Sequence, residues 1–160
     1  MLIRALDLVV TIVMAWIAIG ALGLVRPRQL TFVSRVLFPA GALVGLALAA
    51  VALHALGGEP QTAVLPLGLP DLPFHVRLDA LSAFFLLLIG AAGCAVSLFS
   101  VGYFRASEGT PPGLIAFQYH VFLAAMAAVV LADDAYAFMV AWEAMALASF
   151  FLVTTEHRIP

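Results

Sequence analysis

The sequence predicts an all-α integral membrane protein of five transmembrane helices, with a short β-hairpin in the loop between helices 2 and 3. Three observations carry that expectation. Hydrophobic residues make up 65% of the 160 and charged residues only 10%, whereas soluble domains carry about 25% charged residues. The mean hydropathy is +1.16, so the soluble class is excluded although the length would suit one such domain. Apolar runs near the membrane-spanning length recur along the chain. Between the second and third of these runs lies a stretch rich in Gly and Pro with strand-like alternation.

The first span runs from about Leu6 to Val25. Arg4 followed by an apolar run resembles a signal peptide, but the run is too long for one. It ends on Arg26-Pro27-Arg28, which reads as stop-transfer, so a retained helix is expected. A polar connector from Arg26 to Arg35 follows, with Pro27 helping to end the helix. The second span is about Val36 to Leu56. Its stripe of Gly41, Gly45 and Ala49 suits close helix packing. From Gly57 to Asp79, Gly57-Gly58, Pro60, Pro66, Pro70 and Pro73 break any helix. Phe74 to Asp79 alternates apolar and polar residues and is expected to pair with Ala63 to Leu67 as a surface hairpin. The third span is about Ala80 to Tyr103, followed by a polar loop with Pro111-Pro112. The fourth runs from Leu114 to Ala132. Asp133-Asp134 makes a tight turn, with Asp capping the fifth span, Ala135 to Val153. The tail from Thr154 to Pro160 is polar. Residues 1–56 thus hold helices 1 and 2, 57–79 an extracytoplasmic hairpin loop, and 80–160 helices 3 to 5.

All seven basic residues are arginine and none is lysine. Arg26, Arg28, Arg35, Arg105 and Arg158 fall on one side of this stack, Arg4 and Arg77 on the other. The positive-inside rule then places the N-terminus outside and the C-terminus in the cytoplasm. No basic block suggests nucleic acid. Cys94 stands alone, so neither an internal disulfide nor a cysteine cluster can form. No phosphate loop, dinucleotide fingerprint, nucleophile elbow or metal-ligand cluster is present. No catalytic, cofactor-binding or metal-binding residues are therefore assigned, and no cofactor is expected in this chain.

Glu143 is the residue that points to chemistry. It sits in an otherwise uncharged hydrophobic segment from Tyr136 to Val153, roughly 10 Å along the helix from Tyr136 at about 1.5 Å per residue. An acidic group at a helix centre costs roughly 2.5–3.5 kcal/mol, and Glu is too short to snorkel. A proton or cation relay is the functional expectation; a structural hydrogen bond or assembly ion pair is the alternative. Ala137, Ala141, Ala144 and Ala148 form a small face that Glu143 borders, so the carboxyl is expected to point toward neighbouring helices rather than lipid. Trp142 reads as buried. His120, with Gln118, stands in the first turns of the fourth span. It is a candidate proton-access residue, or else an interfacial polar group beside Tyr119. His54 and His75 are expected to be solvated, and His157 is in the tail.

Two stretches carry a family resemblance. Phe74-His-Val-Arg-Leu-Asp-Ala-Leu-Ser-Ala-Phe-Phe85 resembles the passage from hairpin to third helix in the antiporter-like membrane subunits. Ala132-Asp-Asp-Ala-Tyr-Ala-Phe-Met-Val-Ala-Trp-Glu-Ala-Met-Ala-Leu-Ala-Ser149 resembles their fifth helix. Such subunits occur in complex I, Mrp cation/proton antiporters and membrane-bound hydrogenases. The Arg-Leu-Asp and Glu-His-Arg wording looks closest to hydrogenase-4 component B and its formate hydrogenlyase counterpart. The resemblance implies that Glu143 matches a glutamate associated with proton translocation, working opposite a lysine on a later helix. It also implies that the chain corresponds to the N-terminal portion of a longer subunit. The implied partners are the lipid bilayer of the cell inner membrane, other membrane subunits, and a separate chain or C-terminal part supplying lysine-bearing helices. The alternatives are a noncatalytic membrane anchor or assembly module, and a part of an Mrp-type sodium/proton antiporter.

Overall fold

The structure, a computed structural model, describes residues 4–103 and 110–156. Within them lie helices α1 (Ala5–Val25), α2 (Leu30–Ala55), α3 (Ala80–Tyr103), α4 (Pro112–Leu131) and α5 (Ala135–Val153), each long and apolar enough to cross a membrane. An antiparallel hairpin, β1 (Gln61–Leu69) and β2 (Leu72–Leu78), joins α2 to α3. Arg105 and Arg158, which contribute to the charge bias read from the sequence, and His157 lie outside the described residues.

Four of the helices make the core. α2 packs along α3, α1 along α4, and α1 also meets α2. Lipid tails are as apolar as Leu, so helices in a bilayer gain little from hiding hydrophobic side chains and associate through close packing instead. Gly45 and Gly90 provide that closeness. A Cβ on Gly90 would stand 2.7 Å from the backbone nitrogen of Ala49 and 2.7 Å from the carbonyl oxygen of Gly45. Leu6, Trp16, Leu48, Leu86 and Leu123 fill the core at the hairpin end and middle of the bundle. Val33, Leu37, Phe38 and Ala116 close a smaller cluster.

The second helix begins earlier than the sequence suggested. Leu30 to Phe32 is already helical, and Val33–Leu37 is a π-helical turn leading directly into the rest of α2. Arg35 therefore belongs to the helix and the connector shrinks. Pro39 is the physical reason for the wide turn. Its ring cannot donate an amide hydrogen bond and crowds the preceding turn. The π turn absorbs this by letting the Phe38 amide reach back to the Val33 carbonyl.

The hairpin pairs as expected, with Ala63 opposite Val76 and Leu65 opposite Phe74. The strands extend further than expected, to Leu69 opposite Leu72, after an irregularity between Leu65 and Gly68. Gly68 has φ +105, a conformation that glycine adopts without steric cost. Val76 and Leu78 are buried against the helix ends, while His75 and Arg77, which alternate with them, are exposed. This is the period-two alternation of a strand lying on a surface.

Replacing Gly90 with Leu should push α2 and α3 apart. A loss of about 1–3 kcal/mol is expected, the usual range for overpacking, read as a lowered unfolding midpoint in detergent. An unchanged midpoint would show that the Gly45–Gly90 crossing does not hold the bundle.

Candidate functional site

The start of α5 is fixed by a compact polar knot at the hairpin end. One carboxylate oxygen of Asp134 accepts from the Ala137 amide at 2.7 Å, capping α5 as the sequence suggested. The other accepts from the His75 amide at 3.0 Å and lies 3.0 Å from its ring Nδ1. The Asp133 amide donates to the His75 carbonyl at 2.9 Å, and Ala132 bridges to Val76 as a short extension of the sheet. Arg77 spans Asp133 at 3.4 Å and Asp79 at 4.0 Å. The amide of Ala137, and then that of His75, hold the Asp134 carboxyl below the usual carboxylate range, while desolvation acts weakly against them. The Ser82 amide does the same for Asp79 at the start of α3.

From this knot α5 leaves along α4. Its buried positions are Ala137, Ala141 and Ala148. Only 17% of its spanning window is buried, against 39% in α2 and α4, so α5 lies at the edge of the bundle. Ala144 is exposed and does not share in the small face. Glu143 stands about 140° around the helix from the alanine stripe, at 3.6 residues per turn. It is exposed, as are its neighbours Met139, Val140 and Leu147. Neighbouring helices that would face Glu143, as the sequence suggests, are not among the described residues. The buried small residues of α5 lie toward α4, and a bulkier face turns outward. Trp142 is 48% exposed and lies on the outer side too. Among the described residues no cation pairs with Glu143.

His120 lies elsewhere. It is completely buried, about 12 Å into α4 at 1.5 Å per residue, and is not an interfacial group. Gly20 of α1 approaches its Cβ, and Gly41 of α2 presses on its ring. Phe38 stacks on it with ring centroids 6.2 Å apart. A carbonyl can only accept, so Nδ1 donates to the Ala116 oxygen at 2.7 Å. Nε2 is then left with a lone pair, buried and without a partner among the described residues. Gln118 buries its Oε1 in the same condition. Glu143 and His120 are not brought together: one faces out from α5 and the other sits between α4, α1 and α2.

Two polar ties around His120 carry no sequence signature. Trp16 Nε1 donates to the Gly41 carbonyl at 3.3 Å. The Tyr119 hydroxyl lies 3.0 Å from both Ser97 Oγ and the Gly93 carbonyl, joining α4 to α3. Tyr, Trp and Ser are common in apolar spans, and only the helix crossings reveal these partners.

Residues 65–111 match the family model described as NADH-Ubiquinone oxidoreductase (complex I), chain 5 N-terminus. Over that stretch the chain is similar to an antiporter-like membrane subunit family. The matched segment takes in most of the hairpin and all of α3 and ends before α4, so His120 and Glu143 lie beyond it. The chain is also 36% identical over 118 residues to the uncharacterized protein Rv0083 of Mycobacterium tuberculosis strain H37Rv. The same identity is found with the uncharacterized protein MT0090 of strain CDC 1551. Each alignment covers 72% of this chain and 18% of the relative, so the chain spans less than a fifth of the length of these relatives.

Two outcomes follow from this geometry. The Asp134 carboxylate is depressed, so its contribution is present above the ordinary carboxylate range and is lost as pH falls through the lowered value. Hydrogen exchange at the Ala137 and His75 amides, corrected for intrinsic rate, should lose protection over that acid range. In Asp134→Ala the protection should be missing already at neutral pH; equal protection in both proteins would refute the knot. Separately, Glu143→Leu should leave the unfolding midpoint of this bundle unchanged or raised, because no partner within it is lost. A clear fall would mean that the carboxyl is held inside the bundle after all.

Proposed function

We propose that Glu143 is the proton-carrying carboxylate of a proton-translocating membrane subunit. The parent assembly is a hydrogenase-4/formate hydrogenlyase or NADH-quinone oxidoreductase-like complex, in which electron transfer in partner subunits drives the proton movement. One observation carries this reading: a carboxyl halfway along a spanning helix, on the face that the described residues leave uncovered. A charged group there is tolerated only against protein or a water-filled cavity, so further helices cover the face. A lysine on one of them, from a separate chain or from the rest of a longer subunit, would favour the ionised carboxylate when close and release it to protonate when distant. The family match over residues 65–111 supports the class of subunit. The arginine bias supports an inner-membrane placement with the N-terminus outside and the C-terminus in the cytoplasm.

His120 has no step in this pathway. It is enclosed on the far side of α4 from Glu143, and Gly41 closes over its ring, so we assign it a packing role in the α1–α2–α4 crossing. A second reading, a noncatalytic assembly module, draws on the breadth of the outer face of α5, where Phe138, Trp142, Phe150 and Phe151 are all exposed.

Reconstitution of the complete assembly in proteoliposomes separates the two. Glu143→Gln should cut proton translocation at least tenfold, equivalent to about 1.4 kcal/mol, while the complex still assembles. Intact pumping by Glu143→Gln would leave the assembly reading standing. Repeating the assay with and without sodium distinguishes an Mrp-type sodium/proton activity.

A further inference from the structure

At the hairpin end, α1, α2 and the hairpin border a half-open crevice of about 590 Å³. Its wall is apolar, with Leu8 from α1, Ala50 and Val51 from α2, and Leu78 from β2. Its mouth is polar, with Arg4, His54, Glu59 and Gln61. We propose that this crevice binds one phospholipid whose head group carries both a phosphate and a primary ammonium, as in phosphatidylethanolamine. The proposal does not depend on the role of Glu143.

The position suits a lipid before the chemistry is considered. The crevice opens where two spanning helices end, at the depth of head groups, with an apolar floor leading along the helices and a polar rim. The rim then selects the head group. Arg4 uses Nε and Nη2 to hold Asp7, at 3.1 and 2.9 Å, which leaves Nη1 with its donors. Gln61 accepts from the Leu6 amide at 3.0 Å through Oε1, so its amide donors are left for another acceptor. Arg4 at the N-cap makes no side-chain capping bond, and the positive end of the α1 dipole adds to the field at the same mouth. Arg4 and Gln61 line the same crevice, and donors of this kind suit a phosphate. A purely anionic lipid meets two opposing charges, since Asp7 already engages Arg4 and Glu59 sits on the rim. A head group with an ammonium turns Glu59 from a repulsive neighbour into an acceptor. A primary ammonium donates hydrogen bonds to that carboxylate, whereas a choline cannot. The acyl chain follows Leu8 and Val51.

The test is native mass spectrometry of the full-length protein. It is purified in detergent, stripped of lipid, and titrated separately with phosphatidylethanolamine, phosphatidylcholine and phosphatidylglycerol. One phosphatidylethanolamine should be retained roughly tenfold more tightly than either competitor. Arg4→Ala should weaken it by a similar factor. Glu59→Gln should remove the preference over phosphatidylcholine while leaving a lipid bound. Leu8→Trp, which fills the wall, should abolish retention, with circular dichroism verifying that the helices are intact. Equal retention of all three lipids, a preference for phosphatidylglycerol, or an unaltered pattern in Glu59→Gln and Leu8→Trp would each overturn the proposal.

Discussion

The governing constraint is that hydrocarbon offers the backbone no hydrogen-bonding partner, so each amide and carbonyl must be satisfied within the protein. The five spans answer it as helices. Irregular backbone is confined to their ends, and even there it is tied down. The hairpin does not stand alone at the surface: its second strand is extended by Ala132 and Asp133, and the Asp134 side chain takes up the amides of both His75 and Ala137. The turn that launches α5 is therefore part of the same hydrogen-bonded unit as the strand that leads into α3. Where Pro39 would break the pattern inside a span, one π turn restores it.

The same medium decides how the helices associate. Without a solvent-driven force between apolar surfaces, contact depends on how closely backbones approach. Gly45 against Gly90, Gly20 against His120, and Ala137, Ala141 and Ala148 against α4 are successive cases of that rule. The glycine crossings join α1 to α4 and α2 to α3, while α5 lays its alanines against α4, is tied to the hairpin through Asp134 and keeps most of its surface outward.

Much of this was legible from residues. Apolar length fixed the spans, prolines and glycines bounded the hairpin, and the Asp133-Asp134 pair announced a capped turn. The stripe of Gly41, Gly45 and Ala49 correctly marked a packing face. What was not legible was direction. Alanine is small whether it is covered or not, so Ala144 looked equivalent to Ala141 although only Ala141 is buried. His120 looked interfacial because distance along a sequence says nothing of what crosses it. Only the approach of Gly20 and Gly41 from two other helices makes it a core residue. The early start of α2 was hidden because Arg35 reads as a connector residue unless the π turn is known.

The contrast between His120 and Glu143 carries a final consequence. A group that takes up and gives up a proton in a low-dielectric setting needs surroundings that change between the two states. His120 is clamped by two glycine contacts, a stacked ring and a hydrogen bond to its own helix, and has little room for a second arrangement. Glu143 stands on the span with the smallest buried share, on the side that no described residue covers. A partner cation approaching from that side can move without disturbing the glycine-packed core. The knot at Asp134 meanwhile keeps the start of that helix in register with the hairpin.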